Sequence, residues 1–380
     1  MGNLYFVISS YSPNNAPINR LLSLVEGFST LGLDVNLVFI LSDSKGSRLT
    51  KTWPGVKVHY LWEQWDVKNR YLRQLSYEIL SRKFVNQLKD GDTVVLFDAQ
   101  RILFRLVRKR GIKVFVERTE HPMAYPVRVV NMQRFGECCK CIDGLFVIST
   151  ALKSYYKEVG VSEDKIHIIN MTVDPQRFDG LSKQSVESPY IAYCGTASNN
   201  KDGVDELIKS FAIVAERYPE YKLYIIGKGL TKDDDSGNLQ LVESLGLYDK
   251  VVFTGVIPSE DMPQMLKNAA VLALDRPNNL QAKYGFPTKL GEYLLTENPV
   301  VITSVGDMPL FLKDGENALI AEPQNPKAFA TKLIWAIEHP NESSMIGKRG
   351  AEVAQKEFNA LIESQKMARY MGVYNKIQEI

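Results

Sequence analysis

One short segment of this sequence, residues 283–301, combines residue types that together could bind an anion and a diol. It reads KYGFPTKLGEYLLTENPVV. Gly285 permits close backbone approach, and Pro287 suits the first position of a helix, where its missing N–H would have no partner anyway. The N–H groups of such a first turn attract phosphate or sugar oxygens, and Lys289 adds a positive charge beside them. Glu292 lies one turn further along the same face and could accept hydrogen bonds from two hydroxyl groups, as a carboxylate does when it holds a ribose. The alternative is an ordinary surface ion pair between Lys289 and Glu292.

Three further loops carry similar signals, and each follows a strand-like run. In CGTASNNKDGVDELIKSF, Gly195 ends a strand and Lys201 precedes a helix that we expect to begin near Asp202. A diphosphate could lie against that lysine and the N–H groups of the helix. The other two loops are GKG, residues 227–229, and TGVIPSED, residues 254–261. Four such loops in order along one sheet predict a ligand site at its edge.

Short apolar runs rich in β-branched residues alternate with longer amphipathic segments along the whole chain. Seven of these runs precede residue 170 and six follow residue 189. This rhythm is typical of parallel sheets that helices cover on both faces. We therefore predict an α/β fold of two doubly wound, Rossmann-like domains that face a central cleft, with ligands beyond the carboxyl ends of the strands. The predicted boundaries are 1–174 and 190–357 for the domains, 175–189 for a polar linker, and 358–380 for a C-terminal helix that crosses back to the first domain.

Charge is distributed unevenly between the two halves of the 380-residue chain. The formal net charge is +2, yet residues 1–170 contain 24 Lys and Arg against 16 Asp and Glu. Basic residues concentrate in two stretches with helical periodicity, residues 68–89 and 101–111. These stretches could form ordinary core helices, or they could lie on an anionic membrane surface. The first half therefore has either an anionic partner or an uneven but solvated surface.

Neither the cysteines nor the acidic runs predict a metal site. The four cysteines, at positions 138, 139, 141 and 194, lack a second pair or histidines at zinc spacing, so we expect buried thiols in a reduced compartment. The aspartate run at 233–235 lies in a polar loop before a helix, and we expect it to be solvated and to cap that helix. No segment has the apolar length of a membrane span, and the N-terminus lacks the basic region of a signal peptide. The sequence therefore predicts a cytoplasmic protein without a metal or other cofactor.

Over most of its length, and most densely from residue 148 to residue 323, the sequence resembles the retaining glycosyltransferases of family four, also called glycosyl transferases group 1, which have the GT-B fold. The segments that carry the resemblance are KIHIINMTVDPQRF, CGTASNNKDGVDELIKSF and YGFPTKLGEYLLTENPVVIT. They are similar to the family's entry into its second domain, its donor-diphosphate loop and its segment with two spaced glutamates. The resemblance implies an acceptor side in the first domain and a second domain that binds a nucleoside-diphosphate sugar.

The resemblance also implies roles for individual residues. Lys201 would neutralise the donor diphosphate during catalysis, Glu292 would hold the ribose, and His121 would be a second catalytic residue that touches the donor sugar. Other donor-binding residues would come from the strand-end loops and from the opening segment, with Val256 and Ile257 flanking the base: Gly195, Thr196, Gly227, Lys228, Val256, Ile257, Tyr284, Gly285, Phe286, Pro287, Thr288, Lys289 and Leu290.

The second domain departs from the family pattern at two donor positions. Tyr284 stands where the family usually has its first glutamate, and Thr196 stands where an arginine often follows the glycine. Because a second positive charge would be needed in place of this arginine, Lys289 and Arg276 are the candidates to supply it.

In the first domain, His121 follows the strand-like run KVFVE at the expected cleft edge. Glu117 and Glu120 nearby are alternative acceptor-side carboxylates. Asn14 and Asn15 stand in the region of the family's Gly-Gly loop, and we assign them to acceptor binding.

The function that the resemblance implies is that of a retaining, metal-independent hexosyltransferase. Its donor would be a UDP- or GDP-sugar, and its acceptor a glycan or a lipid-linked glycan in bacterial surface polysaccharide synthesis. The basic first half suits peripheral association with the inner face of the membrane, and no nucleic acid is expected as a partner. Two alternatives remain open: a sugar-nucleotide epimerase or phosphorylase with the same fold, and a catalytically weak binding or scaffolding partner of an active transferase. A nicotinamide dehydrogenase is disfavoured because no Gly-x-Gly-x-x-Gly follows a strand.

Overall fold

The computed structural model describes residues 2–11, 16–41, 47–62, 69–98, 100–123, 132–229 and 231–374. The chain divides into two compact units. The first contains the residues up to Thr172 and those from Ala360 onward, and the second is Val173–Asn359.

The first unit contains a seven-stranded parallel sheet in the order β3-β2-β1-β4-β5-β6-β7. Every residue of β4 and β6 is buried, as expected for central strands that are covered on both faces. The strands are β1 Leu4–Ser10, β2 Val35–Leu41, β3 Val56–Tyr60, β4 Thr93–Leu96, β5 Lys113–Arg118, β6 Gly144–Val147 and β7 Ile166–Ile168.

The helices of the first unit include one from the C-terminal end of the chain. They are α1 Ala16–Thr30, α2 Arg70–Gln87, α3 Gln100–Leu106, α4 Met132–Cys139, α5 Thr150–Glu158 and α15 Ala360–Tyr370. Helix α15 packs against α1, where Gly27 leaves room for Ser364. The Ser364 hydroxyl donates to the Leu24 carbonyl oxygen over 3.1 Å.

The second unit contains a six-stranded parallel sheet in the order β10-β9-β8-β11-β12-β13. The strands are β8 Tyr190–Cys194, β9 Lys222–Ile226, β10 Val251–Gly255, β11 Val271–Leu274, β12 Val300–Thr303 and β13 Leu319–Ala321. Its helices are α6 Asn199–Asp202, α7 Val204–Arg217, α8 Lys232–Ser244, α9 Met262–Asn268, α10 Leu280–Tyr284, α11 Lys289–Leu295, α12 Met308–Phe311, α13 Pro326–Glu338 and α14 Pro340–Glu357.

The predicted parallel sheets are confirmed, since each of the thirteen apolar runs forms a strand. The helix expected from residue 358 begins at Ala360 instead. Phe358 ends α14 and packs against Phe286 and Phe311, with ring centroids at 5.3 Å and 5.1 Å. The aromatic cluster therefore holds Phe358 in the second unit.

Candidate functional site

The order of strands in the second sheet defines a switch point between β8 and β11. The chain runs outward through β9 and β10 and then returns to pair β11 with β8. Connections on the two sides of such a point leave in opposite directions and open a crevice at the carboxyl ends of the strands. The residues that follow these two strands, Gly195 to Ser198 and Asp275 to Arg276, border this crevice.

Two glycines let the loops after β8 and β9 touch. Gly227 has a φ of +129°, and a Cβ there would overlap the Gly195 carbonyl oxygen. Gly195 has a φ of +145°, and a Cβ there would overlap the Lys289 ammonium group. The Gly195 N–H donates to the Ile226 carbonyl oxygen over 2.8 Å. Both positions therefore require glycine, and the loop lies directly on Lys289.

A buried charge cluster supports the Gly195 loop. Asp202 accepts from Lys289 Nζ at 2.5 Å and lies 3.5 Å from Arg276 Nε. The Tyr193 hydroxyl lies 2.8 Å from Asp202 and 2.9 Å from Lys289 Nζ, which also sits 4.3 Å from the centre of the Tyr193 ring. Burial acts to raise the pKa of Asp202, but the two cations outweigh it and hold the pKa below its ordinary value. Burial also lowers the pKa of Lys289, against the opposing charge of Asp202.

The helix expected near Asp202 is interrupted. Helix α6 ends at Asp202, Gly203 takes a left-handed conformation with a φ of +64°, and α7 begins at Val204. A Cβ at Gly203 would overlap the Asp275 carbonyl oxygen, so the break brings the two loops of the switch point together. Lys201 thus lies inside α6, half-buried, and its carbonyl oxygen is 3.5 Å from Arg276 Nε.

Glu292 is paired with an arginine that the sequence reasoning missed. Arg177, in the turn Pro175–Phe178, forms an ion pair with Glu292 and donates to the Ser259 carbonyl oxygen over 3.0 Å. Burial raises the pKa of Glu292, and the Arg177 charge acts in the opposite direction. The alternative of an ion pair between Lys289 and Glu292 is not formed, because Lys289 binds Asp202 instead. No local pattern identifies Arg177, because it lies at the start of the predicted linker, residues 175–189.

The opening segment differs from its expected local structure. Pro287 precedes the helix rather than starting it: Thr288 is the N-cap and α11 begins at Lys289. Gly285 has a φ of −95°, a value open to other residues. The Phe286 ring packs against Phe311 at 5.6 Å, and Leu290 is fully buried. These two side chains therefore serve the core, and contacts of this segment with a donor would come from its backbone.

The remaining donor positions lie in different environments. Lys228 is exposed and Tyr284 is half-buried. Val256 is 64% exposed, whereas Ile257 lines a cavity of about 580 Å³. Because Tyr190 and Lys222, which begin their strands, also line this cavity, it extends away from the carboxyl edge of the sheet.

The aspartate run lies in the first turn of α8 rather than in a loop before it, so its expected position is wrong. The expected capping role is confirmed, because Thr231 is the N-cap and Asp234 completes its capping box. Asp234 also accepts from the Asn199 N–H at 3.3 Å, and Asp235 accepts from the Gly229 N–H at 2.6 Å. Within the described ranges, His, Cys, Asp and Glu side chains nowhere form a group of three or more that could hold a metal ion.

In the first unit, His121 is buried and follows the end of β5 by three residues. Its Nδ1 accepts from the Met123 N–H at 3.2 Å, and its ring meets Tyr155 edge to face at 4.3 Å. Burial lowers the pKa of His121. The neutral ring therefore predominates at neutral pH, and His121 suits a hydrogen-bonding role.

Glu117 forms an internal ion pair with Arg20 and does not serve as an acceptor-side carboxylate. Arg20 Nε binds it at 2.5 Å, and both residues are buried. The same guanidinium donates to the carbonyl oxygens of Asn170 and Ile169 over 2.7 Å and 3.0 Å. The alternative role suggested for Glu117 is therefore wrong, and Glu120 is half-buried beside it. Asn14 and Asn15 lie outside the described residues.

Two of the four thiols fit the expected buried state. Burial raises the pKa of Cys139 and Cys194 to about 12. Cys138 is half-buried, and Cys141, two residues after the end of α4, is exposed, so the expectation is wrong for Cys141. None of the helices in the described part of the chain is both long and apolar enough to cross a membrane.

The chain is similar to known proteins in part of its sequence and in its fold. Residues 188–339 match the family described as Glycosyl transferases group 1. Mannosylfructose-phosphate synthase of Agrobacterium fabrum is 26% identical over 235 residues, which cover 56% of this chain and 50% of that protein. The match thus spans about half the length of this curated relative.

Solved structures show the fold over the whole chain. Sucrose-phosphate synthase (tll1590) from Thermosynechococcus elongatus has a TM-score of 0.78 at 15% identity, covering 98% of each chain. Anabaena Alr3699/HepE in complex with UDP-glucose has a TM-score of 0.71 at 16% identity, covering 98% of this chain and 100% of the other. The predicted GT-B fold and the resemblance to group 1 glycosyl transferases are confirmed.

Proposed function

We propose that this protein transfers a sugar from a nucleoside-diphosphate sugar to a hydroxyl group. The proposal starts from the match of residues 188–339 to the group 1 glycosyl transferases. The observation that carries the proposal is the switch point of the second sheet. There Lys289 lies directly against the Gly195 loop, Asp202 lies between Lys289 and Arg276, and the charge of Lys201 acts on Lys289. A group of cations at the carboxyl ends of parallel strands suits a diphosphate.

The proposed reaction breaks the bond between the anomeric carbon and the diphosphate oxygen and forms a bond to the acceptor oxygen. With retention, the acceptor approaches from the side of the leaving group, and its proton passes to the departing phosphate oxygen. The protein must then stabilise the growing charge on the diphosphate, which preorganised cations do at low cost of reorganisation. Lys201 is the residue we assign to this role, with Lys289 in place of the arginine that Thr196 replaces. We assign His121 to the donor sugar.

The donor is proposed to be a UDP- or GDP-sugar that is used without a metal ion. The structure of Anabaena HepE with UDP-glucose supports the class of donor, since that protein shares the fold. The cations at the switch point support metal-free use, because they supply the charge that a divalent ion otherwise provides. Glu292 would hold the ribose, which requires its carboxylate to be shared between the hydroxyl groups and Arg177.

The acceptor is proposed to be a hydroxyl group of a glycan or a lipid-linked glycan, as in the synthesis of bacterial surface polysaccharides. The excess of basic residues in the first half supports work at the cytoplasmic face of a membrane, where anionic lipids and lipid-linked diphosphates carry negative charge. A catalytically weak binding partner is the second candidate, which Tyr284 and the occupied Glu292 favour.

The test is thermal unfolding of the wild type and of Lys201→Ala with UDP, GDP, ADP and CMP. A ligand at about 100 times its dissociation constant stabilises the native state by about 2.7 kcal/mol. One diphosphate should stabilise the wild type and not the variant. Lys313→Ala is the matched control, because this exposed lysine of the second unit pairs only weakly with Glu316.

Release of the nucleoside diphosphate from the corresponding sugar nucleotide then separates the two candidates. Turnover supports the transferase, and binding without turnover in the presence of acceptor supports the binding partner. If none of the four nucleotides stabilises the wild type, the donor site is wrong.

A further inference from the structure

Helix α2 of the first unit has apolar side chains on two opposite faces. Its inner face is that of an ordinary core helix: Tyr77, Phe84 and Val85 are buried, and the Phe84 ring meets Tyr5 of β1 edge to face at 5.7 Å. Lys109 Nζ stabilises the C-terminal end of the helix by donating to the carbonyl oxygens of Val85 and Leu88 over 2.6 Å and 2.7 Å. The expectation of a core helix is thus met by one face.

The outer face carries four large apolar side chains that lie in solvent. Tyr71 is 82% exposed, Leu72 54%, Leu75 56% and Ile79 57%. Their spacing of three and four residues places them together on the side opposite Tyr77. Single exposed apolar residues are ordinary, but a continuous group of this kind marks an interaction surface. We call these four residues the outer stripe.

Among the described side chains of α2, those that extend the outer stripe at its C-terminal end are basic. Arg82 and Lys83 are exposed one turn beyond Ile79. Glu78 is the single acidic residue in the sequence of α2, and it is paired with Arg105 of α3. An apolar stripe bordered by bases matches the surface of an anionic bilayer, where apolar side chains enter between the head groups and bases contact their phosphates.

We propose that the outer stripe, with Arg82 and Lys83, is the surface by which this protein docks on an anionic lipid bilayer. Helix α2 lies in the plane of the membrane surface, with its inner face still packed on the first sheet. The inference names the site of the membrane association that is part of the proposed function, and it does not depend on catalysis.

The test is co-sedimentation of the full chain with vesicles of phosphatidylcholine alone or mixed with phosphatidylglycerol. The wild type should bind the mixed vesicles, and salt should weaken that binding. Leu75→Gln/Ile79→Gln should bind about tenfold more weakly or worse. Arg82→Gln/Lys83→Gln should bind about 25-fold more weakly, at about fivefold for each charge near the surface.

The matched control is Leu239→Gln/Leu245→Gln, which removes two apolar side chains of similar exposure from the second unit, 53% and 40%. This variant should bind vesicles as the wild type does. All variants should keep the wild-type melting temperature and its shift by nucleotide, which separates a failed docking surface from a failed donor site. Equal sedimentation of the wild type with neutral and mixed vesicles, or unchanged binding by both α2 variants, would overturn the proposal. A wild-type dimer that Leu75→Gln/Ile79→Gln converts to a monomer would overturn it too, since the stripe would then join two copies of the chain.

Discussion

Replacing Asp202 by asparagine tests how the Gly195 loop is held above the buried cations. The variant keeps the size of the side chain and removes the negative charge that Lys289 and Arg276 share at 2.5 Å and 3.5 Å. The three side chains expose only 2%, 13% and 3% of their surface. Water therefore compensates little of the positive charge that remains.

The magnitude follows from these distances. At an effective dielectric constant of about 20, the attraction is about 6–7 kcal/mol at the shorter distance and about 4–5 kcal/mol at the longer one. Removing the carboxylate also removes its own desolvation penalty of several kcal/mol, and the asparagine oxygen still accepts from Lys289. We therefore expect the free energy of unfolding to fall by about 3–5 kcal/mol, as is usual when one partner of a buried ion pair is lost.

Urea unfolding measures this change as a shift of the midpoint by about 1–2 M to lower urea. Asp205→Asn is the control, because Asp205 forms a partly exposed pair with Lys209 at 3.6 Å, and its loss should cost less than about 1 kcal/mol. The double variant Asp202→Asn/Lys289→Met should recover part of the loss, since it also removes one orphaned charge. If Asp202→Asn destabilises the protein no more than Asp205→Asn does, the cluster is solvated and the reasoning is refuted.

The remaining predictions concern a glycine contact and two buried carboxylates. Gly227→Ala should lower the free energy of unfolding by about 2 kcal/mol or more, because its φ is positive and its Cβ would overlap the Gly195 carbonyl oxygen; Gly237→Ala, with open space around its Cβ, should be neutral or stabilising in the same urea assay. Burial raises the pKa of Asp275 to about 7, so the native state binds this proton more tightly than the unfolded state does. As the pH rises from about 5 to about 8, the free energy of unfolding of the wild type should therefore fall by about 2–3 kcal/mol relative to that of Asp275→Asn. An equal pH profile for the two proteins would contradict that assignment. Glu117→Gln should destabilise the chain by about 3 kcal/mol, because it leaves Arg20 buried without its countercharge, and an unchanged melting temperature would show that the pair is dispensable.

Much of the fold could be predicted because its signals are local. Runs such as TVVL and VVIT form buried strands that face helices on both sides, so they need not alternate with polar residues. The strand-end glycines could be recognised as well, since Gly195 and Gly227 each follow such a run. Helix ends were less accurate: α11 begins two residues after Pro287, and Gly203 splits the helix expected near Asp202.

The partners of the charged residues could not be predicted from local pattern. Lys289 and Glu292 are three residues apart on one helix and looked like a pair, yet they bind Asp202 and Arg177. These partners are 87 and 115 residues away along the chain. The partner that a charged side chain contacts depends on the order of the strands, because β11 returns to lie beside β8 and brings distant loops together.

The amino-acid sequence specified the two parallel sheets, the turn glycines and the resemblance to group 1 glycosyl transferases, since each of these depends on short stretches of chain. The fold specified which charges neutralise one another and which face of α2 stays in solvent. The sequence left open whether α2 is a core helix or lies on a membrane surface, and the structure shows that one of its faces is buried in the first unit while the other is exposed. Electrostatic and apolar contacts depend on distances in space. Lys289 and Asp202 are in contact although they lie 87 residues apart along the chain.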